Sequence, residues 1–187
     1  LKVSGKVRFI GVSLYSAGDI DYVLDCTAID GIQVPFSLLN PDPLLDRLGR
    51  IREKQIGVIV RSCLESGFLS GKYTRESNFS DPQDQRHQWS RKEIVRIVES
   101  VERFRFLEKE AGSLLEAAVR YPLSFPETST VILGTKAAEQ AAINFGLSAG
   151  GALKRETLNR IQAVQGRWGL RALSWERPYS SLKRIAF

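Results

Sequence analysis

Short apolar runs alternate with stretches of helical periodicity over the first sixty residues. Arg8 to Val12 is one such run, bounded by Gly5 and Ser13, and its unbroken apolar character suits a buried parallel strand. Ser16 is placed to cap a helix in which Ile20, Val23, Leu24 and Ala28 recur at helical spacing, and Gly31 is expected to end that helix. Ile32 to Phe36 reads as a second strand, turned at Asn40-Pro41. Asp42-Pro43 opens a helix with Leu44, Leu45, Leu48 and Ile51 on one stripe, and Gly57 to Val60 is a third strand. Strand, helix, strand, helix, strand with short connections predicts an α/β fold with a parallel sheet.

The rhythm breaks between Ser62 and Ser90, where Gly67, Gly71, Pro82 and many polar residues fill a long irregular connection. A connection of that length inside a compact domain is usually functional or mobile. Helical periodicity resumes at Arg91, with Ile94, Ile97, Val98, Val101 and Leu107 on one face, and Gly112 breaks it. Ser113 and Glu116 have capping-box spacing before a helix running to about Tyr121. Thr130 to Leu133 reads as the fourth strand, followed by helices near Ala137 to Leu147 and Lys154 to Trp168. No linker divides the chain, so residues 1–187 are expected to form a single domain ending in a basic, aromatic tail over 168–187. Four such strands make half of an eight-stranded barrel, and 187 residues is short of the roughly 250 a whole (β/α)8 barrel needs.

With 43% apolar and 26% charged residues the chain falls among soluble globular proteins. No apolar run reaches the roughly 18 residues of a spanning helix, so a cytoplasmic setting is the default expectation and a membrane partner is not expected. Cys26 and Cys63 lie in apolar surroundings without a paired spacing and read as small buried hydrophobes. His87 is the one histidine, in a polar stretch, and reads as a surface residue without a metal site. The net charge is +6, and the tail from Arg167 carries five basic residues against Glu176. Trp168, Trp175 and Tyr179 interleave with those charges, a composition that also suits nucleic acid, but a segment laid over a barrel mouth is the simpler reading. The chain contains no methionine and begins at Leu1, which points to a cut, a processed end or an alternative start.

Four motifs carry the candidate chemistry. They are Ser4-Gly-Lys-Val-Arg-Phe-Ile-Gly-Val-Ser13, Ile32-Gln-Val-Pro-Phe-Ser-Leu-Leu-Asn40, Arg61-Ser-Cys-Leu-Glu-Ser-Gly-Phe-Leu-Ser-Gly-Lys-Tyr73 and Ile132-Leu-Gly-Thr-Lys-Ala-Ala-Glu-Gln140 with Asn144 beyond. In this order they resemble strands five to eight of the aldo-keto reductases, from about Gly5 to Leu158. The resemblance implies parallel (β/α) units of a TIM-type barrel, about four of eight, and a cofactor-binding half of an NADP-dependent carbonyl reductase.

Residue by residue, it implies that Ser13 and Gln33 hold the nicotinamide carboxamide. Arg61 stands where many members place an aromatic ring. Ser62, Leu64, Ser66 and Gly67 form the pyrophosphate loop, and Lys72 closes over it. Gly134, Thr135 and Lys136 precede a helix whose N-terminus favours phosphate, with Lys136 favouring the 2′-phosphate of NADP, and Gln140 and Asn144 face the adenosine. The family usually follows the serine with asparagine; Leu14 here implies one lost carboxamide contact.

The family's proton-donating tyrosine and its lysine, aspartate and histidine partners come from the first four strands, and none has a counterpart in this chain. Tyr15 and Tyr73 do not fall in that context, so no catalytic residue is assigned and the chain alone is expected to be inactive. Its open sheet is expected to meet a missing N-terminal half or another copy, the small carbonyl substrate entering only the completed enzyme. A non-catalytic half-barrel acting as a binding or interaction module is the alternative.

Overall fold

In a computed structural model of the chain, residues 1–26 and 29–167 are described. Its strands are β1 (Gly11–Ser13), β2 (Gly31–Pro35), β3 (Gly57–Arg61) and β4 (Thr128–Val131). They pair in chain order, parallel throughout, as one four-stranded sheet. Helix α1 (Ala17–Asp25) joins β1 to β2, and α2 (Asp42–Leu45) and α3 (Leu48–Glu53) join β2 to β3. Between β3 and β4 come the long connection and α4 (Arg91–Glu102), α5 (Leu107–Ala111) and α6 (Leu114–Leu123). After β4 come α7 (Ala138–Leu147) and α8 (Arg155–Arg167).

Side chains alternate across a strand, and here the two faces of the sheet differ sharply. Ile32, Val34, Val58 and Val60 point to the helical side and are 1% exposed or less. They meet Ile20 and Leu24 of α1, Ile97 and Val101 of α4, and Ala117 and Ala118 of α6 in one apolar core. On the other face, Gly11, Gly31 and Gly57 stand level across three strands, and Ser13, Gln33 and Ile59 form the next row. Among the described residues no helix covers that second face: Gly11, Ser13 and Ile59 are exposed, and Gly31, Gln33 and Gly57 half-buried. At Gly11 the close approach of strands favours the missing side chain, since a Cβ there would stand 3.0 Å from the Gly31 carbonyl oxygen.

Local chemistry sets the helix ends. Ser16 accepts from the Asp19 N–H at 3.1 Å while the Asp19 carboxylate accepts from the Ser16 N–H at 3.0 Å, a reciprocal cap that starts α1. Ser90 and Glu93 repeat the arrangement at α4. Ser113 caps α6 by accepting from the Glu116 N–H, but the Glu116 carboxylate goes to Arg120 at 2.9 Å. The last helix is fastened to the core by Gln165, whose amide nitrogen donates to the Leu38 carbonyl at 3.0 Å and to the Tyr121 hydroxyl at 3.2 Å.

Several boundaries differ from the sequence pattern. β1 begins at Gly11, because the Ile10 N–H is taken by the Asp30 carboxylate and the Ile10 carbonyl by the Asp30 N–H, so Arg8 and Phe9 stay outside the ladder. Gly31 opens β2 instead of ending α1, which stops at Asp25; Ala28 lies outside the described residues. The stripe from Leu44 to Ile51 spans two helices, separated where the Arg47 N–H turns tightly to the Leu44 carbonyl and its guanidinium reaches Asp21. The face from Ile94 to Leu107 likewise divides, through 3₁₀ turns at Phe104 and Leu107. β4 lies two residues earlier than the apolar run, and Ser129 bulges out of its pairing with β3, its hydroxyl accepting from the Val58 N–H at 3.1 Å. Cys63 is buried, but Cys26 is exposed at the end of α1, because the helix stops one residue before it.

Phe104 is fully buried at the break after α4. Phe104→Ala is expected to lower stability by about 3–5 kcal/mol in urea unfolding followed by far-UV circular dichroism.

Candidate functional site

In a parallel sheet every strand runs the same way, so the segments following β1, β3 and β4 emerge at one end of it. Ser13 and Gln33, level on adjacent strands of the uncovered face, are in contact there, with the Ser13 hydroxyl donating to Gln33 Oε1 at 3.3 Å. They share an open cleft of about 370 Å3 with Phe9, Ile10, Gly11 and Ile59. Leu14 turns the other way and is buried, its N–H bonded to the Gln33 carbonyl at 2.8 Å. Arg61, at the end of β3, donates to the Leu14 carbonyl at 3.0 Å and lies over the Tyr15 ring at 4.4 Å.

The loop after β3 is strained. Ser62, Glu65 and Ser66 adopt left-handed backbone angles, with φ of 58°, 46° and 53°, followed by Gly67 at 89°. Left-handed non-glycine residues are costly and cluster where a loop is held for a ligand. Leu64 is half-buried beneath it, and Glu65 accepts from the Ser37 hydroxyl at 2.6 Å. Lys72 is exposed, its ammonium 5.0 Å from the centre of the Tyr73 ring.

The residue that holds this loop is Arg86. Its guanidinium donates to the Ser66 carbonyl at 2.9 Å, to the Tyr73 hydroxyl at 2.6 Å and to both carboxylate oxygens of Asp84 at 2.8 and 2.5 Å. It also lies 4.2 Å over the Phe79 ring. Around it Phe68, Tyr73, Phe79 and Trp89 pack ring to ring, with centroids 5.0 to 5.8 Å apart. The bidentate bond from Arg86 holds the Asp84 carboxyl well below the usual carboxylate range, and the charge of Lys136 adds in the same direction. The pattern of residues pointed to the loop and missed this clamp. The available signal was the set of aromatic residues in an otherwise polar connection, with Asp84 and Arg86 two apart inside it.

After β4, Gly134, Thr135 and Lys136 are exposed in front of α7. No side chain caps this helix at Ala137; instead Gln140 turns back, its Oε1 accepting from the Lys136 N–H at 3.0 Å. Asn144 follows one turn later on the same helix, half-buried. The predicted residues therefore divide into a Ser13–Gln33 pair on the sheet face, an Arg86-clamped loop and a separate segment before α7. The tail with Trp168 and Trp175, expected to shape the mouth, lies outside the described residues. His87 is exposed in the long connection, with Nδ1 2.9 Å from the Phe79 carbonyl.

A half-barrel of βα units with its candidate ligand groups at one end of the sheet defines a class of barrel proteins, and the comparisons with known proteins specify which. The model of the aldo/keto reductase family matches residues 1–165, and the chain belongs to that family. It is 27% identical over 169 residues to the NADH-specific methylglyoxal reductase of Escherichia coli, covering 87% of the chain and 52% of that relative. It is 28% identical over 173 residues to the L-galactose dehydrogenase of Arabidopsis thaliana, covering 88% and 50%. Among solved structures, the glycerol dehydrogenase of Gluconobacter oxydans shares the fold with a TM-score of 0.69 at 24% identity, over 89% of the chain and 51% of that protein. The chain spans about half the length of the curated relatives it matches.

Three outcomes follow from this geometry. Arg86→Met is expected to speed amide exchange at Ser66 and Gly67 at least about tenfold while leaving the strand amides unchanged, as read by hydrogen–deuterium exchange. A depressed carboxyl contributes stability above its ordinary value of about 3.9 and loses it only as pH falls through the lower folded value, so the loop should remain protected at pH 4. Burial, with Glu65 adding to it, pushes the Cys63 thiol up to about 12. A thiol reagent at pH 8 is therefore expected to modify one cysteine, Cys26, in the native chain and the second only after unfolding.

Proposed function

We propose that this chain is the cofactor-binding half of an aldo-keto reductase, an oxidoreductase site for a nicotinamide dinucleotide, with NADP preferred. The observation that carries the reading is the Ser13–Gln33 contact, a polar pair on the uncovered sheet face at the end where the loops emerge. A hydroxyl and a primary amide offer both a donor and an acceptor to a carboxamide. The Ser62, Leu64, Ser66 and Gly67 loop, preset by Arg86, would take the pyrophosphate, with Lys72 beside it and Arg61 toward the nicotinamide. Gly134, Thr135 and Lys136 would take the adenosine phosphate, and Gln140 and Asn144 the adenosine. Leu14, turned into the core, offers no carboxamide contact, so Ser13 and Gln33 would serve alone. Hydride exchange with a small carbonyl substrate is the chemistry such a cofactor supplies.

The proton donor would come from a second set of four βα units. Of this chain's tyrosines, Tyr73 has its hydroxyl bonded to Arg86 and Tyr121 is buried against Gln165. Tyr15 lies under the Arg61 guanidinium. The chain by itself is read as inactive, since the family's proton-donating residues come from the strands that its resemblance does not cover.

Fluorescence titration of the chain, alone and with the N-terminal half of a full-length family member, tests the reading. NADPH is expected to saturate more tightly than NADH, and Lys136→Ala to weaken NADPH about tenfold while leaving NADH unchanged. Since the E. coli relative is named for NADH, the two cofactors are compared directly. Absence of saturation by either cofactor in both preparations overturns the proposal.

A further inference from the structure

Side chains two apart on a strand share a face, so Arg61 stands on the same face of the sheet as Ile59, and it pairs with Pro35 one pleat beyond the Gln33–Ile59 pair. Residues on one face follow each other at about 6–7 Å along a strand, which places the Arg61 Cα that far past the row holding Ser13 and Gln33. From β3 the side chain crosses the line of β2 and reaches the end of β1. Its Nη2 donates at 3.0 Å to the carbonyl of Leu14, the residue after Ser13, and its guanidinium carbon lies 4.4 Å from the centre of the Tyr15 ring. The Leu14 N–H is itself bonded to the Gln33 carbonyl at 2.8 Å. The guanidinium is thereby fixed beside the carboxamide pair, on the side where the loops emerge.

Both contacts hold the guanidinium in place and neither offsets its charge. A carbonyl and an aromatic ring carry no formal charge, and no carboxylate among the described residues pairs with Arg61, whereas the charge of Arg86 is met by Asp84. A guanidinium also stays protonated throughout the range in which proteins are folded. A nicotinamide ring is cationic when oxidised and neutral when reduced, and it is bonded directly to its carboxamide. We propose that Arg61 makes this site select the reduced cofactor. A ring whose carboxamide is held by Ser13 and Gln33 lies within several ångströms of the guanidinium, so the oxidised form meets a like charge and the reduced form does not. The two forms carry the same phosphates, and the phosphate contacts cancel in the comparison. Like charges at such a separation near a protein surface are enough to part the two affinities by about tenfold. In the hydride exchange proposed above, an alcohol carbon gives a hydride with its electron pair to the oxidised ring, and the hydroxyl proton leaves to the group that donates it in the reverse direction. A site that favours the reduced ring draws this equilibrium toward the carbonyl and NADPH. The inference rests on the assignment of Ser13 and Gln33 to the carboxamide.

Paired titrations test it, with NADPH followed by its fluorescence and NADP+ by displacement of NADPH, on the chain alone and with the N-terminal half of a full-length family member. The parent is expected to bind NADPH about tenfold more tightly than NADP+. Arg61→Gln keeps a donor for the Leu14 carbonyl without the charge, and is expected to bring the two dissociation constants within about twofold, chiefly by tightening NADP+. Arg61→Lys keeps the charge and is expected to retain a preference for NADPH. A purely structural role would move both constants together and leave their ratio unchanged, so the ratio separates charge from packing. Equal affinities in the parent, a glutamine variant with the parent's ratio, or a lysine variant that loses the ratio as fully as glutamine overturns this inference and leaves the cofactor-binding reading standing. Absence of saturation by either form in both preparations overturns the two together.

Discussion

A parallel sheet satisfies its backbone along its length but leaves the covering of its faces to other elements, and the described residues supply cover for only one of them. Valine and isoleucine on the helical side are sealed by α1, α4 and α6, while the glycine, serine and glutamine rows opposite remain open. The same asymmetry places the candidate ligand groups. Ser13 and Gln33 are accessible because they stand on the uncovered face, and the loops gather at one end because the strands run one way. The buried apolar contacts lie on one side of the sheet, and the candidate ligand groups stand on the other.

Within that frame the long connection between β3 and α4 is ordered by one cation. Exposed ion pairs such as those of Arg105 with Glu102 and Glu108 contribute little, since solvent screens them and their side chains lose freedom on pairing. The Arg86–Asp84 pair differs, with side chains only 13% and 15% exposed and the guanidinium also bonded to a carbonyl and a phenol and stacked on a ring. A planar fork with several donors can join three parts of the chain at once, which an ammonium could not do with the same geometry. The left-handed residues from Ser62 to Gly67 are held in place by such cross-links, together with the bond from Ser37 to Glu65.

Much of this was legible in the residues. The helix starts at Ser16 and Ser113 follow from a side chain within three positions of the backbone it caps, and the strands from short apolar runs between turns. The order of βα units and the family likeness followed, because both depend on periodicity and local motif. Less visible were the ends: Gly31 belongs to a strand because it pairs with Gly11 and Gly57, a fact about neighbours distant in sequence. The same holds for the exposure of Cys26 and the division of the helices near Arg47 and Phe104.

The sequence by itself determined the α/β class and the order of the βα units, since each is written in spacing along a few neighbouring positions. Only the tertiary structure decided that Arg86 joins Asp84, Ser66, Tyr73 and Phe79, that Gln140 folds back to the Lys136 backbone, and that Phe9, Ile59, Ile132 and Phe145 stay outside the core. Those outcomes depend on which distant groups the packed sheet brings within bonding reach, and on which apolar surface the available helices cover. Neither quantity is carried by any local stretch of chain.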